Sequence, residues 1–203
     1  MKIICIGRNY AAHANELHNP VPVEPVFFMK PDTALLPNNH PFFLPDFSAD
    51  MQYETELVVR ICKAGRSIQQ NFAYKYYDQI GIGIDFTARD LQAVCKQKGL
   101  PWEIAKAFDF SAPVGRFLPK ERFDRPYQIG FGLKINGEWR QRGNSRDMIF
   151  DFDHIIAYVS RFVTLRQGDL IFTGTPAGVG QAQKHDHFEL FIENECLLAF
   201  NVK

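Results

Sequence analysis

Strands outnumber helices along this chain and do not alternate with them as a regular βαβ series, so the expected class is α+β and predominantly β. Two observations carry that expectation. Short runs rich in Val, Ile, Leu and Phe are bounded by Gly, Pro, Asn and Asp. One Asn136-Gly137 pair, the strongest short hairpin signal, separates two such runs. At 203 residues the chain predicts a single domain over residues 1–203. With 46% hydrophobic residues and 19 Phe it can bury a substantial core, which excludes a disordered or collagen-like chain.

Ile3–Ile6 reads as a short buried strand. Tyr10–Leu17, if helical, places His13 and Glu16 on one face at i and i+3. From Asn19 to Asp46 come Pro20, Pro22, Pro25, Pro31, Pro37, Pro41 and Pro45; each removes a backbone donor, so only short or edge strands such as Val26–Met29 are expected there. Asn15, Asn19 and these prolines suggest a short helix beside a mobile segment, an arrangement that fits a lid. Tyr53–Ile61 is a longer strand stopped by Lys63–Gly65, and Ile80–Asp85 is another. Thr87-x-x-Asp90 resembles a capping box ahead of a helix carrying Leu91, Val94 and Cys95, which Lys98-Gly99-Leu100-Pro101 ends. Gln128–Ile135 and Glu138–Arg142 flank the Asn136-Gly137 turn. Phe152, Ile155, Val159 and Phe162 step along one helix face behind Asp151 and Asp153. Asp169–Phe172, His187–Ile192 and Glu195–Val202 close the chain, the last two as a hairpin around Asn194.

Basic and acidic residues balance at 23 each, a formal net charge of zero, which argues against nucleic acid or an anionic membrane surface as partner. No apolar run reaches the ~18–20 residues of a membrane span, and the apolar part of Met1–Arg8 is too short for a signal peptide. Cys5, Cys62, Cys95 and Cys196 lie far apart with no C-x-x-C, as expected of reduced, mostly core thiols. The expected location is the cytoplasm, or an organelle if a targeting segment is absent. Gly81-x-Gly83 lacks the third glycine of a dinucleotide fingerprint, and the glycine-rich Gly174–Gly180 lacks the Lys-Ser/Thr of a P-loop. Neither G-x-S-x-G nor H-E-x-x-H occurs.

The remaining chemistry is acidic. A strand period of two puts Glu54 and Glu56 on one face, where like charges need a cation or a proton. For an isolated E-x-E a solvent-facing edge is the commoner outcome. Asp85 ends an otherwise apolar strand, as a turn residue or as a third ligand. Three carboxylates from two strands would suit a hard Mg²⁺ or Mn²⁺ with positions left for substrate oxygen. His13 with Glu16 is a surface pair or an oriented base. Lys30 and Lys106 are lone cations beside apolar residues, either snorkelling or carboxylate-binding. Arg89 and Gln92 share a helix face near Asp85. His185-Asp186-His187 reads as a solvated turn.

Six pieces stand in order: Gly7-Arg8-Asn9-Tyr10-Ala11-Ala12-His13, Phe28-Met29-Lys30-Pro31, Glu54-Thr55-Glu56-Leu57, Asp85-Phe86-Thr87-Ala88-Arg89-Asp90, Lys106-Ala107-Phe108-Asp109 and Gly174-Thr175-Pro176-Ala177-Gly178-Val179-Gly180. Together they resemble the fumarylacetoacetate hydrolase family, most closely its compact acylpyruvase and oxaloacetate decarboxylase branch, from Ile3 to Val202. Ile84-Asp85-Phe86-Thr87 stands where relatives often read Asn-Asp-Val-Ser, keeping the acid. The resemblance implies a mixed β-roll, a homodimer, and Mg²⁺ or Mn²⁺ on Glu54, Glu56 and Asp85. It implies catalytic roles for His13, Glu16 and Lys106, and a substrate site lined by Arg8, Lys30, Arg89, Gln92 and Thr175. The implied reaction is cleavage of acylpyruvates to pyruvate and a carboxylate through an enolate, with decarboxylation of oxaloacetate by the same device. An isomerase or decarboxylase of 2-hydroxyhepta-2,4-diene-1,7-dioate, and a non-catalytic dimer that binds oxo acids, are the alternatives.

Overall fold

The computed structural model describes residues 1–16, 20–37, 40–125 and 127–203. A six-stranded sheet runs in the order Val26–Lys30, Ile3–Gly7, Leu170–Phe172, Thr55–Ile61, Tyr77–Ile84 and Leu118–Pro119. Ile3–Gly7 pairs parallel with Leu170–Phe172, and the other neighbours are antiparallel. Its central strands are covered on both faces, which explains their unbroken apolar runs. Leu57, Val59 and Ile61 face the main core while Val58 faces a smaller cluster with Ile3, Cys5, Leu170 and Phe172.

A second sheet, Glu138–Asn144, Gly130–Ile135, His187–Ile192 and Glu195–Asn201, closes the main core with Leu133, Ile135, Phe188, Leu190 and Ile192. Much of the phenylalanine is here: Phe42 stacks on Phe86 at 3.9 Å between centroids, and Phe188 on Phe200 at 5.2 Å. The Asn136-Gly137 hairpin forms as expected, with φ of 54° and 82°. Phe152–Phe162 is helical and Asp151 caps it by accepting from the His154 N–H at 2.7 Å. Its buried stripe is Phe152, Ile155, Ile156, Val159 and Ser160, whereas Phe162 is exposed.

Three expectations change. Tyr53–Ile61 is two strands: Met51–Tyr53 joins Gly180–Gln181 and Thr87–Ala88 in a small sheet, and Thr55–Ile61 joins the large one. Glu54 is the crossover between them, and its carbonyl accepts the Asp85 N–H at 2.8 Å. The capping box does not form: Thr87 pairs with Gln52 in the small sheet, and Ala88 precedes the helix Arg89–Lys98 with no side-chain cap. The Asp90 carboxylate turns instead to Ser48 Oγ at 2.7 Å and the Ala49 N–H at 2.9 Å. The cysteines are free, but only Cys5 and Cys95 are buried; Cys196 is exposed. Gly99 does end the helix, with φ of 65°. Of the segment expected beside the short helix, Leu17 and Asn19 lie outside the described residues. No helix among the described residues is long and apolar enough to cross a membrane.

Candidate active site

Thr55 and Ile84 are the last paired residues where two adjacent strands leave the large sheet together. Glu54 and Asp85, one step beyond, therefore meet, and Glu56 follows on the Glu54 face. Ligand atoms of the three carboxylates lie within 4.8 Å of one another, and all three side chains are buried. Opposite Glu56 stands Gly83, where a Cβ would lie 2.7 Å from the Pro113 carbonyl and 2.9 Å from the Phe172 ring. Only glycine fits there.

Cations surround the cluster unevenly. Lys106 Nζ donates to Glu54 Oε2 at 2.9 Å and Asp85 Oδ2 at 2.7 Å, and Arg89 Nη2 donates to Glu54 Oε1. Burial works to raise the Glu54 pKa, but Lys106 and Arg89 outweigh it and hold the carboxyl well below the usual range. Burial likewise opposes the charge on Lys106, and Asp85 and Glu54 overcome it and raise its pKa. Glu56 has no ion-pair partner among the described residues. Its Oε2 accepts the Gly174 N–H at 2.7 Å, while burial and the charges of Asp85 and Glu54 push its pKa well up. A buried oxygen-donor set with one uncompensated carboxylate fits a hard divalent cation.

The glycine-rich stretch serves this carboxylate, not a phosphate. Gly174 holds φ at 99°, and a Cβ there would sit 2.6 Å from Asn9 Cβ. Thr175, expected to line the substrate site, does line the cleft, with Oγ1 bonded to the Thr55 carbonyl at 2.9 Å. Nothing in the sequence marks Gln141, and Asn9 stands in the first of the six pieces with no role implied for it. Gln141 Oε1 accepts the Thr55 N–H at 2.9 Å, and its Nε2 donates to Thr175 Oγ1 and the Pro176 carbonyl. Gln141 thereby clamps the residue between two carboxylates to the glycine loop. Asn9 Nδ2 donates to the carbonyls of Phe150 and Thr173, fixing the turn before the His13 helix. Both are single polar residues inside apolar or loop context, and their long-range partners leave no local signal.

Ala11–Glu16 is helical, as expected for its described part, and brings His13 into the cleft. His13 Nδ1 lies 3.2 Å from Glu16 Oε2, and the same carboxylate accepts the Gly178 N–H at 3.1 Å. Arg8, in the left-handed region at φ 60°, Arg89 and Gln92 also line the cleft. Gln92 Oε1 accepts from Arg89 Nη1 at 2.7 Å, so it orients the guanidinium. Lys30 differs from expectation. It is buried behind Asp85, its Nζ 2.8 Å from Asp85 Oδ1 and 2.9 Å from Ser111 Oγ, with the Phe86 and Lys106 carbonyls as further acceptors. It supports the carboxylate and does not line the cleft. His185 and Asp186 lie in the turn region that the sequence suggests, where Asp186 meets Asn136, and His187 opens the strand behind them and meets Asn201. The open volume beside the carboxylates is about 40 Å³, room for a few waters.

A roll of two main sheets with a carboxylate triad where its strands cross to the small sheet, faced by a His–Glu pair, defines an acid-rich small-molecule enzyme site. The chain belongs to the fumarylacetoacetate hydrolase family: residues 2–202 match its C-terminal domain family, described as fumarylacetoacetate (FAA) hydrolase C-terminal. It is 44% identical over 201 residues to the mitochondrial oxaloacetate tautomerase of Mus musculus, covering 99% of this chain and 91% of that protein. It is 42% identical over 180 residues to the mitochondrial oxaloacetate decarboxylase of Dictyostelium discoideum, covering 88% and 83%. The fumarylpyruvate hydrolase of Pseudomonas aeruginosa, solved in complex with Mn²⁺ and pyruvate, superposes with a TM-score of 0.93 at 38% identity, covering 100% of this chain and 89% of that one.

Proposed function

We propose that this chain is a divalent-metal-dependent enzyme that enolises small 2-oxo acids, with keto–enol tautomerisation of oxaloacetate as its reaction. The buried triad Glu54, Glu56 and Asp85 facing His13 across one cleft carries the reading, and the near full-length similarity to an oxaloacetate tautomerase supports it. Mg²⁺ or Mn²⁺ held by the three carboxylates would supply Lewis-acid polarisation of the 2-oxo group. Arg8 and Arg89 offer charge-assisted hydrogen bonds to the substrate carboxylates. His13, its Nδ1 held by Glu16, keeps Nε2 to take the proton from C3. Lys106 Nζ stabilises the oxyanion that develops at the 2-oxo position.

A second reading, hydrolysis of acylpyruvates, is favoured by the same His13–Glu16 pair, which suits activation of a water, and by the fumarylpyruvate hydrolase similarity. His13 takes a proton from water, and the water oxygen bonds to the distal acyl carbon. The C–C bond to C3 then breaks and leaves its electron pair on the pyruvate fragment, which is protonated at C3. Decarboxylation of oxaloacetate needs the same electron flow without the water. We further take the protein to be a homodimer working in the cytoplasm; the free cysteines support a reducing compartment.

The test follows oxaloacetate enol absorbance with Mg²⁺, with EDTA and in His13→Ala, alongside Mn²⁺ binding by electron paramagnetic resonance. Expected are loss of catalysis with EDTA, a drop of about 10²–10⁴-fold in the variant, and unchanged Mn²⁺ affinity. An unchanged rate in His13→Ala removes that residue from the mechanism. Pyruvate and acetate released from acetylpyruvate would establish the hydrolytic reading as well.

A further inference from the structure

Next to the carboxylate cleft lies a second cavity of about 290 Å³, walled by Val26, Phe28, Met29, Leu100, Pro101 and Trp102. The two share Val26, Phe28, Trp102 and Lys106, so the cavity adjoins the cleft at its Lys106 end. From these walls we infer an apolar subsite that takes the uncharged alkyl or aryl end of an acylpyruvate, giving the protein a hydrolytic activity toward long-chain and aromatic acylpyruvates. The inference rests on the 2-oxo acid reading above and names the substrate class of its hydrolytic form.

Charge decides what the subsite accepts. Its one cation, Lys106, is already bonded to Glu54 and Asp85 at the join, with Nζ 5.1 Å from the Phe28 ring. Its other charged wall is the exposed Glu103, which would repel a distal carboxylate. An apolar tail finds two aromatic faces, since Phe28 and Trp102 meet at 6.0 Å between centroids, whereas an anion inside the cavity meets no free cation of its own: Lys96, with Nζ 5.6 Å from the Trp102 centroid, lines the cleft and not the cavity. The cleft, with about 40 Å³ free, has little room of its own for a longer tail. The walls are built in place. Gly99 ends the preceding helix in the left-handed region and the Leu100 N–H bonds to the Cys95 carbonyl at 2.9 Å, which sets the course of Leu100-Pro101-Trp102. Leu100 is 47% exposed and Val26 37%, apolar side chains that a bound tail would cover.

The test measures kcat/KM with Mg²⁺ for acetyl-, butanoyl-, hexanoyl-, benzoyl- and succinylpyruvate. Burial of each methylene is expected to raise kcat/KM about fourfold (~0.8 kcal/mol) from acetyl to hexanoyl, with succinylpyruvate below butanoylpyruvate. Calorimetry gives a second readout: 2-oxooctanoate, which has no distal carbonyl to cleave, should bind Mn²⁺-loaded protein more tightly than 2-oxobutanoate by similar steps. Leu100→Glu should flatten the series when each rate is divided by that for acetylpyruvate, and Leu100→Arg should raise the succinyl-to-butanoyl ratio above one. A flat or falling series, with acetylpyruvate or oxaloacetate still consumed, overturns the subsite alone; so does a dimer that Leu100→Glu dissociates, since a second copy would then cover the cavity. No metal-dependent turnover of any 2-oxo acid overturns the subsite and the 2-oxo acid reading together.

Discussion

Replacing Lys30 by Met separates a structural cation from a substrate-binding one. Lys30 is 2% exposed and its ammonium has two ionic or hydroxyl partners, Asp85 Oδ1 and Ser111 Oγ, and three carbonyl acceptors, those of Phe86, Lys106 and Ser111. Met keeps the apolar stem and loses the charge. Asp85 is then left with Lys106 as its remaining cation, and removing one member of a buried ion pair costs about 3–5 kcal/mol. At roughly 2–4 °C per kcal/mol for a chain of this size, Tm should fall by about 6–20 °C. Differential scanning fluorimetry reads that shift, and KM for oxaloacetate is measured below the transition. A cation that met the substrate carboxylate would give the opposite pattern. A Tm within about 2 °C of the parent, together with a KM raised tenfold or more, would refute the supporting role.

Glu56→Gln removes a buried like charge beside Asp85 and Glu54, so the metal-free protein should be no less stable while Mn²⁺ affinity falls at least about tenfold. Thermal melts with and without EDTA check this, since a bound ion raises Tm by mass action and that gain should shrink in the variant. Gln141→Leu strands the Thr55 N–H and the Pro176 carbonyl and takes one donor from Thr175 Oγ1, at about 1–3 kcal/mol for each group left unpaired; a variant matching the parent in both Tm and Mn²⁺ affinity would exclude the clamp. Burial opposes ionisation of Asp90, but hydrogen bonds from Ser48 Oγ and the Ala49 and Leu91 N–H groups hold its carboxyl below the ordinary value. Its stabilising effect is thus present above the unfolded pKa of ~3.9 and lost as pH falls through the lower folded value. The Tm gap between Asp90→Asn and the parent should persist at about pH 6 and close toward about pH 2.

The sequence exposes those parts of the site whose residues are close along the chain. Glu54 and Glu56 are two apart and His13 and Glu16 three apart, so strand and helix periods alone suggest that each pair faces one way. Asp85 stands out because it ends an apolar strand, and the structure gives the reason: it leaves the sheet beside Glu54. That crossover itself was hidden, because Tyr53–Ile61 reads as one strand by composition, and the change of sheet at Glu54 is a tertiary event with no turn residue to mark it. The capping box failed for a related reason: Thr87 is taken by pairing with Gln52 from 35 residues upstream, and tertiary pairing overrides a local cap. The burial of Lys30 leaves no mark in the sequence, because it depends on partners at 85, 86, 106 and 111, none of them a sequence neighbour. The family resemblance carried the rest, since six weak motifs in fixed order constrain the fold more than any one of them constrains a role.

Glu16 joins the two halves of the site. Its carboxylate holds His13 Nδ1 and also receives the Gly178 N–H, which belongs to the glycine loop whose Gly174 N–H holds Glu56. The imidazole is therefore oriented by the same group that docks its helix, and the docking point lies on the loop that supports the Glu56 carboxylate. Thr175 and Gln141 extend the chain of bonds to Thr55, between the two glutamates. Undocking the Ala11–Glu16 helix from Gly178 would free the ring and unload the loop together. On the proposed 2-oxo acid reading, an imidazole positioned in this way would be oriented only while its helix is docked over the cleft, the condition under which a proton could pass to and from C3 without exchange with bulk water.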